Sequence, residues 1–145
     1  MKIEIETIGT IQSPYHNTKE IPRQGVLEPH AEGRVILDKF YHRGLDGLDQ
    51  FTHAVLIFYF HHSIEARLQG TPPGADKPRG VFAIRGPHRP NHLGLSVVKI
   101  KQMRDDGFTF TGVDMLDGTP LVDIKPYVNL LDPRNSKDPF FQGSH

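Results

Sequence analysis

The stretch Phe51-Thr52-His53-Ala54-Val55-Leu56-Ile57-Phe58-Tyr59-Phe60 constrains the fold of this chain more than any other segment. β-branched and aromatic residues dominate it, and such side chains suit a packed, pleated strand. It is far shorter than the ~20 apolar residues that a membrane-spanning helix needs, so it reads as a core strand. Shorter apolar runs lie on either side, separated by clusters of Gly, Pro, Asn, Asp and Ser that mark turns. Ile3, Ile5, Ile8 and Ile11 predict an opening strand over residues 2–11, and Gly33-Arg34-Val35-Ile36-Leu37 a second. Residues 81–84, 95–102, 108–113 and 121–124 predict further strands. Around residues 39–47 the spacing of Phe40, Arg43, Leu45 and Leu48 predicts one or two helical turns under the sheet. Residues 64–80 are polar and rich in Gly and Pro, hence a loop.

Many short strands with little helix define a mainly β fold, a small single-domain β-barrel with short helical segments. No βαβ unit is visible and no G-x-G-x-x-G follows a strand, so a Rossmann architecture is not expected. The 145 residues suit one domain. Cysteine is absent, which removes disulfides and thiolate metal sites. The N-terminus alternates charged with apolar residues and lacks a signal-peptide core, so a cytoplasmic, membrane-free protein is expected. Basic and acidic residues balance at 17 each. That balance argues against a general polyanion binder while leaving room for a local basic patch.

The segment Arg85-Gly86-Pro87-His88-Arg89-Pro90-Asn91-His92-Leu93-Gly94 follows an apolar run and concentrates cations and hydrogen-bonding groups. Its prolines fix φ and push the preceding residues out of the helical region. It reads as a stiff ligand-binding loop. Arg85 and Arg89 each offer a planar fork to a carboxylate or phosphate, and Asn91 can donate and accept at a nucleobase edge. Asp117-Gly118-Thr119-Pro120 is a turn, which serves equally as a plain hairpin or as a ligand contact. In Asp123-Ile124-Lys125, alternation puts the two charged residues on one face, where they reach a ligand or simply pair with each other. His61 and His62 sit where the core strand exits, a place suited to pocket walls. Their spacing matches no metal signature, and no metal site is expected.

Four segments in order carry a family resemblance. They are Ile8-Gly9-x-Ile11-x-Ser13-Pro14-Tyr15 with Ile21-Pro22-Arg23-Gln24, and Gly44-Leu45-x-Gly47-Leu48 with Phe51-Thr52-His53. Val81-Phe82-Ala83-x-Arg85-x-Pro87-x-Arg89-Pro90-Asn91-x-x-Gly94-Leu95-Ser96 is the third, and Asp114-x-Leu116-Asp117-Gly118-Thr119-Pro120-x-x-Asp123-Ile124-Lys125-Pro126-Tyr127 the fourth. Together they resemble the TsaA/VirR-like family, which includes tRNA adenosine N6-methyltransferases of the TrmO type. The resemblance implies a barrel domain over residues 1–132, followed by a polar tail at 133–145 that is expected to be partly disordered or of non-native origin. It also implies a homodimer that binds S-adenosylmethionine without a Rossmann sheet and acts on tRNA. Carried over by position, the cofactor is held by Gln24, Gly25, His61, His62, Arg85, Leu95, Asp117, Gly118 and Thr119. Asp117 and Asp123 become the candidate proton acceptors, with Arg89, Asn91 and Lys125 orienting the substrate.

The implied acceptor is a threonylcarbamoyl-modified adenosine beside the anticodon. A small-molecule or protein acceptor and a non-catalytic nucleotide- or RNA-binding barrel are the alternatives. Two positions depart from the usual family loop, Arg-Ser-Pro-x-Arg-Pro-Asn-Pro-Ile-Gly: Gly86 replaces a serine and His92 a proline.

Overall fold

The structure is a computed structural model that describes residues 1–21 and 30–131. Its strands are β1 (Gly9–Gln12), β2 (Glu32–Leu37), β3 (His53–Tyr59), β4 (Gln69–Gly70), β5 (Arg79–Gly80), β6 (Leu93–Arg104), β7 (Gly107–Thr111) and β8 (Thr119–Pro126). Six of them close into a barrel in the order β1-β2-β7-β6-β3-β8, with every neighbouring pair antiparallel. β4 and β5 pair only with each other. The expected mainly β, non-Rossmann barrel forms.

Alternation decides which side chains point inward. In β3, Ala54, Leu56 and Phe58 are buried, whereas His53, Val55 and Ile57 face out. Ile11, Val35, Leu37, Val98, Phe108, Phe110 and Leu121 complete the interior. Leu45 and Leu48, from the 3-10 turns Lys39–Leu45 and Leu48–Gln50, close one end. Tyr15, Val113 and Met115 close the other. Eight strands give an interior just wide enough to be filled by side chains. Six leave less room, so a ligand must bind on the loops or the outer face.

Several elements differ from the sequence reading. Residues 64–80, expected to be a loop, include the short β4–β5 pair, and β6 and β8 extend beyond the expected 95–102 and 121–124 at both ends. The opening strand begins at Gly9, not at residue 2: Ile8 donates its N–H to the Leu121 carbonyl (2.8 Å), but Ile3 and Ile5 are exposed. The β7 strand ends at Thr111 because Gly112 turns the chain at φ 85°. Residues 81–84 are not a strand. Val81–Ala83 form a 3-10 turn in which Val81 is buried and Phe82 is 82% exposed. A short apolar run cannot reveal its own periodicity, and here one residue anchors a surface crossing. The predicted turns near residue 40 form as 3-10 structure, with Leu45 and Leu48 inside and Phe40 outside. No helix among the described residues is long and apolar enough to cross a membrane.

A register shift in the β3–β8 pair positions the later chemistry. Phe58 faces Leu121 and Ile57 faces Asp123, so Val122 is the extra residue of a bulge. Thr119 and Leu121 point inward; unbroken alternation would send Asp123 and Lys125 inward too. The bulge turns both outward, level with Ile57 and Val55, and leaves Ile124 packed against the core.

Candidate functional site

One end of the barrel gathers the C-terminal ends of β1 and β3 and the N-terminal ends of β6 and β8. The chain leaves β3 through Phe60 to His61, His62 and Ser63, and Phe60 donates its N–H to the His92 carbonyl (2.8 Å). This bond places the histidine turn beside the Arg85–Gly94 loop. Gly94 is required there, since a Cβ would come within 2.5 Å of the Phe58 ring and 2.8 Å of Phe60. The two rings meet edge to face at 5.3 Å.

The loop is braced from within. Arg89 Nη1 donates to the carbonyls of Ile84 (2.8 Å) and Gly86 (3.3 Å). His92 Nδ1 lies 3.0 Å from the Pro87 carbonyl, to which its N–H form donates. Asn91 and His92 both adopt left-handed backbone, at φ 64° and 51°. Asparagine tolerates that region because its short amide bonds locally. Proline, fixed near φ −65°, does not. The loop therefore follows a path here that the usual family proline at position 92 is unable to take. Arg85 Nη2 donates to the Leu95 carbonyl (2.8 Å) on the stretch of β6 that has no β7 partner.

Beside this loop, the Asp117-Gly118-Thr119 turn is tied to the end of β1. Asp117 Oδ1 accepts from the Ser13 N–H (3.0 Å), and the Asp117 and Gly118 N–H groups donate to the Tyr15 and Ile11 carbonyls. Gly118 carries the positive φ of 79° that the turn demands. The Thr119 hydroxyl is buried and donates to the Leu116 carbonyl (2.6 Å). On the adjoining outer face, Leu95, Ile57 and Asp123 form one row across β6, β3 and β8, and Val97, Val55 and Lys125 the next. Two strand spacings separate Leu95 from Asp123, about 10 Å. Lys125 Nζ stands 3.0 Å from Asp123 Oδ2, while Asp123 Oδ1 accepts from the Ile124 N–H.

Partial burial, with His62 next to it, holds the His61 imidazole below the ordinary 6.5, while a bond to the Tyr59 backbone acts weakly the other way. The two imidazole rings lie 4.2 Å apart. At neutral pH His61 is therefore an uncharged donor and acceptor.

The structure thus brings His61, His62, Arg85, Leu95, Asp117, Gly118 and Thr119 to one end and its flank, with Asp123 and Lys125 on the flank itself. Arg89 is spent on loop carbonyls, while Asn91 is exposed. Gln24, Gly25 and the tail at 133–145 lie outside the described residues. Sequence reasoning overlooked Ser63, whose hydroxyl meets His88, and the Ser96–Asp114 bond, in which the buried hydroxyl donates to Oδ1 at 2.6 Å. Asp114 was visible as a motif residue; for Ser63 no local signal exists, because its partner is 25 positions away. Among the described residues no group of three His, Cys, Asp or Glu is placed to hold a metal.

A closed six-stranded antiparallel barrel with loop-borne cations and imidazoles at one rim defines a small non-Rossmann binding domain. Residues 10–133 match the model of the tRNA-methyltransferase O N-terminal domain, and the chain belongs to that family. It is 43% identical over 138 residues to a protein of Pseudomonas aeruginosa named as a candidate S-adenosylmethionine-dependent methyltransferase, RcsF, covering 91% of this chain and 58% of that one. It is 38% identical over 135 residues to the tRNA (adenine(37)-N6)-methyltransferase of Escherichia coli, covering 86% of this chain and 57% of that protein. An S-adenosyl-L-methionine-binding protein of Archaeoglobus fulgidus is 33% identical over 128 residues, which span 88% of this chain and 91% of that one. A crystal structure of TrmO superimposes with a TM-score of 0.84 at 35% identity, covering 99% of this chain and 66% of that one. The chain thus spans less than two thirds of the two bacterial relatives.

Proposed function

We propose that this domain binds S-adenosylmethionine at the barrel end and transfers its methyl group to N6 of an adenosine beside the tRNA anticodon, a threonylcarbamoyl-modified one. The observation that carries the proposal is the convergence of Arg85, Leu95, the His61–His62 turn and the Asp117–Thr119 turn, with Asp123 on the adjoining face. The archaeal relative named for S-adenosylmethionine binding is matched over nearly all of its length, which supports placing cofactor binding within this domain. The E. coli relative supports the tRNA acceptor.

The residues suit the cofactor's chemistry. Arg85 offers a guanidinium to its carboxylate, Leu95 an apolar surface to its adenine, and the Asp117–Thr119 turn polar contacts to base or ribose. When bound, S-adenosylmethionine supplies an electrophilic methyl group on a cationic sulfur. The N6 nitrogen is a weak nucleophile because its lone pair is delocalised, so its proton must be taken as the N–CH3 bond forms and the S–CH3 bond breaks. Asp123 is the acceptor we favour. Each aspartate has one oxygen on a backbone amide, Asp123 on Ile124 and Asp117 on Ser13. Asp123 is preferred because it stands on the outer flank in the same row as Leu95 and Ile57, with Lys125 beside its other oxygen. Lys125 and Asn91 orient the substrate, and Arg89 keeps the loop in shape. Alignment of the two reactants is the larger part of the catalysis.

Mass spectrometry of tRNA nucleosides after incubation with methyl-labelled cofactor tests the acceptor. A labelled adenosine derivative is expected; label in no tRNA nucleoside, with the cofactor demonstrably bound, sends the acceptor to another class. Neutral His61 implies a pH dependence as well. A folded value depressed below 6.5 keeps the imidazole uncharged at neutral pH. Acidification would add a positive charge to the wall of a site for a cationic cofactor, so calorimetric affinity for the cofactor should fall as the pH drops through the depressed His61 value. His61→Asn should flatten the fall.

The homodimer belongs to the same proposal. Tyr59, Leu93, Leu95 and Val97 are 37%, 36%, 47% and 45% exposed on one continuous outer face of β3 and β6. A contiguous apolar face of this kind marks an interaction surface. Among the described residues, surface cavities of about 350 and 270 Å³ lie elsewhere than at Arg85 and His61, and in this reading a second copy laid on the β3–β6 face would complete the wall of the site. Val97→Glu, at the end of that face away from the Arg85–Gly94 loop, should shift the protein from dimer to monomer in light scattering.

A further inference from the structure

Within that reading, the His61–His62 turn and the Arg85 loop must keep a fixed separation to hold one cofactor, although they belong to different connections. The loop's ends are anchored: Val81 donates its N–H to the Leu68 carbonyl (2.9 Å), and the His92 carbonyl accepts from Phe60. Its middle is exposed. Gly86 stands in open space, with no atom within 4 Å of where a Cβ would lie. It sits where the usual family loop has a serine, and glycine gives the unfolded and the loosened loop more conformers to visit. The Arg89 and His92 braces bond only to the loop's own carbonyls. They stiffen the loop without tying it to the histidine turn.

One side-chain bond makes that connection. Ser63 Oγ, the residue after His62, meets His88 Nδ1 at 3.0 Å. The Ser63-Ile64-Glu65 segment flanks the imidazole a second time. Glu65, paired with Arg67 at 2.6 Å, has its carboxyl held below its ordinary value mainly by Arg67, with His88 contributing. Position 88 is the one the usual loop pattern leaves open, and Ser63 lies outside the motifs altogether.

We propose that His88 is a positioning residue of this chain: through Ser63 it clamps the cofactor loop to the His61–His62 turn and so keeps Arg85 and the imidazoles at binding distance. It touches neither reactant. The clamp offsets the freedom that Gly86 introduces, and it rests on the cofactor site proposed above.

Two measurements on the full chain test it. In calorimetric titrations with S-adenosylmethionine, His88→Ala and Ser63→Ala should each weaken binding about tenfold. The double variant should be no weaker than either single one, because both remove the same bond. His88→Asn, whose side-chain amide offers both an oxygen acceptor and an N–H donor to Ser63 Oγ, should restore affinity to within about twofold. In cofactor-free protein, hydrogen exchange of the amides at 85–92 should quicken in His88→Ala and not in His88→Asn. Cofactor affinity of His88→Ala within about twofold of the parent, additive losses in the double variant, or unchanged loop exchange each overturn the clamp. If the parent protein binds no cofactor, the cofactor reading falls, while loop exchange still decides whether the clamp exists.

Discussion

Asp123→Asn is expected to slow single-turnover methyl transfer by about 10²–10⁴-fold, the range that a positioned general base contributes. The substitution keeps an oxygen for the Ile124 N–H that Asp123 Oδ1 now accepts at 2.9 Å. It removes the charge that faces Lys125 and the lone-pair basicity that a substrate proton requires. Cofactor affinity should hold to within about threefold, less than one charged hydrogen bond is worth. Asp117→Asn is the control. It preserves an oxygen for the Ser13 N–H, so the turn should survive and the rate should fall far less. If the two variants are equally active, Asp123 is not the base; if Asp117→Asn is the slower, the role passes to that residue.

Phe110→Ala should be the most damaging change to the fold, costing about 3–5 kcal/mol. Phe110 is fully buried in β7 between Gly33 of β2 and Ile100 of β6, and its ring meets Phe108 at 6.2 Å. Gly33 has no Cβ because one would come within 2.5 Å of the Phe110 ring tip. The ring therefore fills a space that Gly33 leaves open, and a closed barrel has little freedom to collapse around it. Whole domains are stable by only about 5–15 kcal/mol, so the variant should melt roughly 10–15 °C lower. Urea unfolding with an unchanged slope and a lower midpoint is the check. A loss below about 1 kcal/mol would mean that the barrel interior repacks freely.

Much of the molecule was legible in the residues. The β3 strand announced itself because its side chains are β-branched and aromatic, and those shapes fit a pleated sheet wherever the sheet lies. The Arg85–Gly94 loop was legible because proline and glycine restrict or free the backbone locally. Its internal braces were not. The two arginines look alike in sequence, yet Arg89 is absorbed by the Ile84 and Gly86 carbonyls while Arg85 reaches β6. The run at 81–84 hides its role for a related reason: four apolar residues report hydrophobicity without periodicity, and only the tertiary structure shows that Val81 is the buried one among them.

By itself the sequence determined the architecture's class and the chemistry available to it. Strand-forming runs, turn residues and the absence of a βαβ unit are local or compositional properties that no partner alters. Tertiary structure alone decided where that chemistry points. Inward alternation from Thr119 and Leu121 would bury Asp123 and Lys125, and the bulge at Val122 turns them out. A bulge arises from the mismatch between two paired strands, a relation between β3 and β8 that neither segment contains alone. The Ser63–His88 bond has the same character, since it exists only because the closed barrel brings the exit of β3 beside the entry to β6.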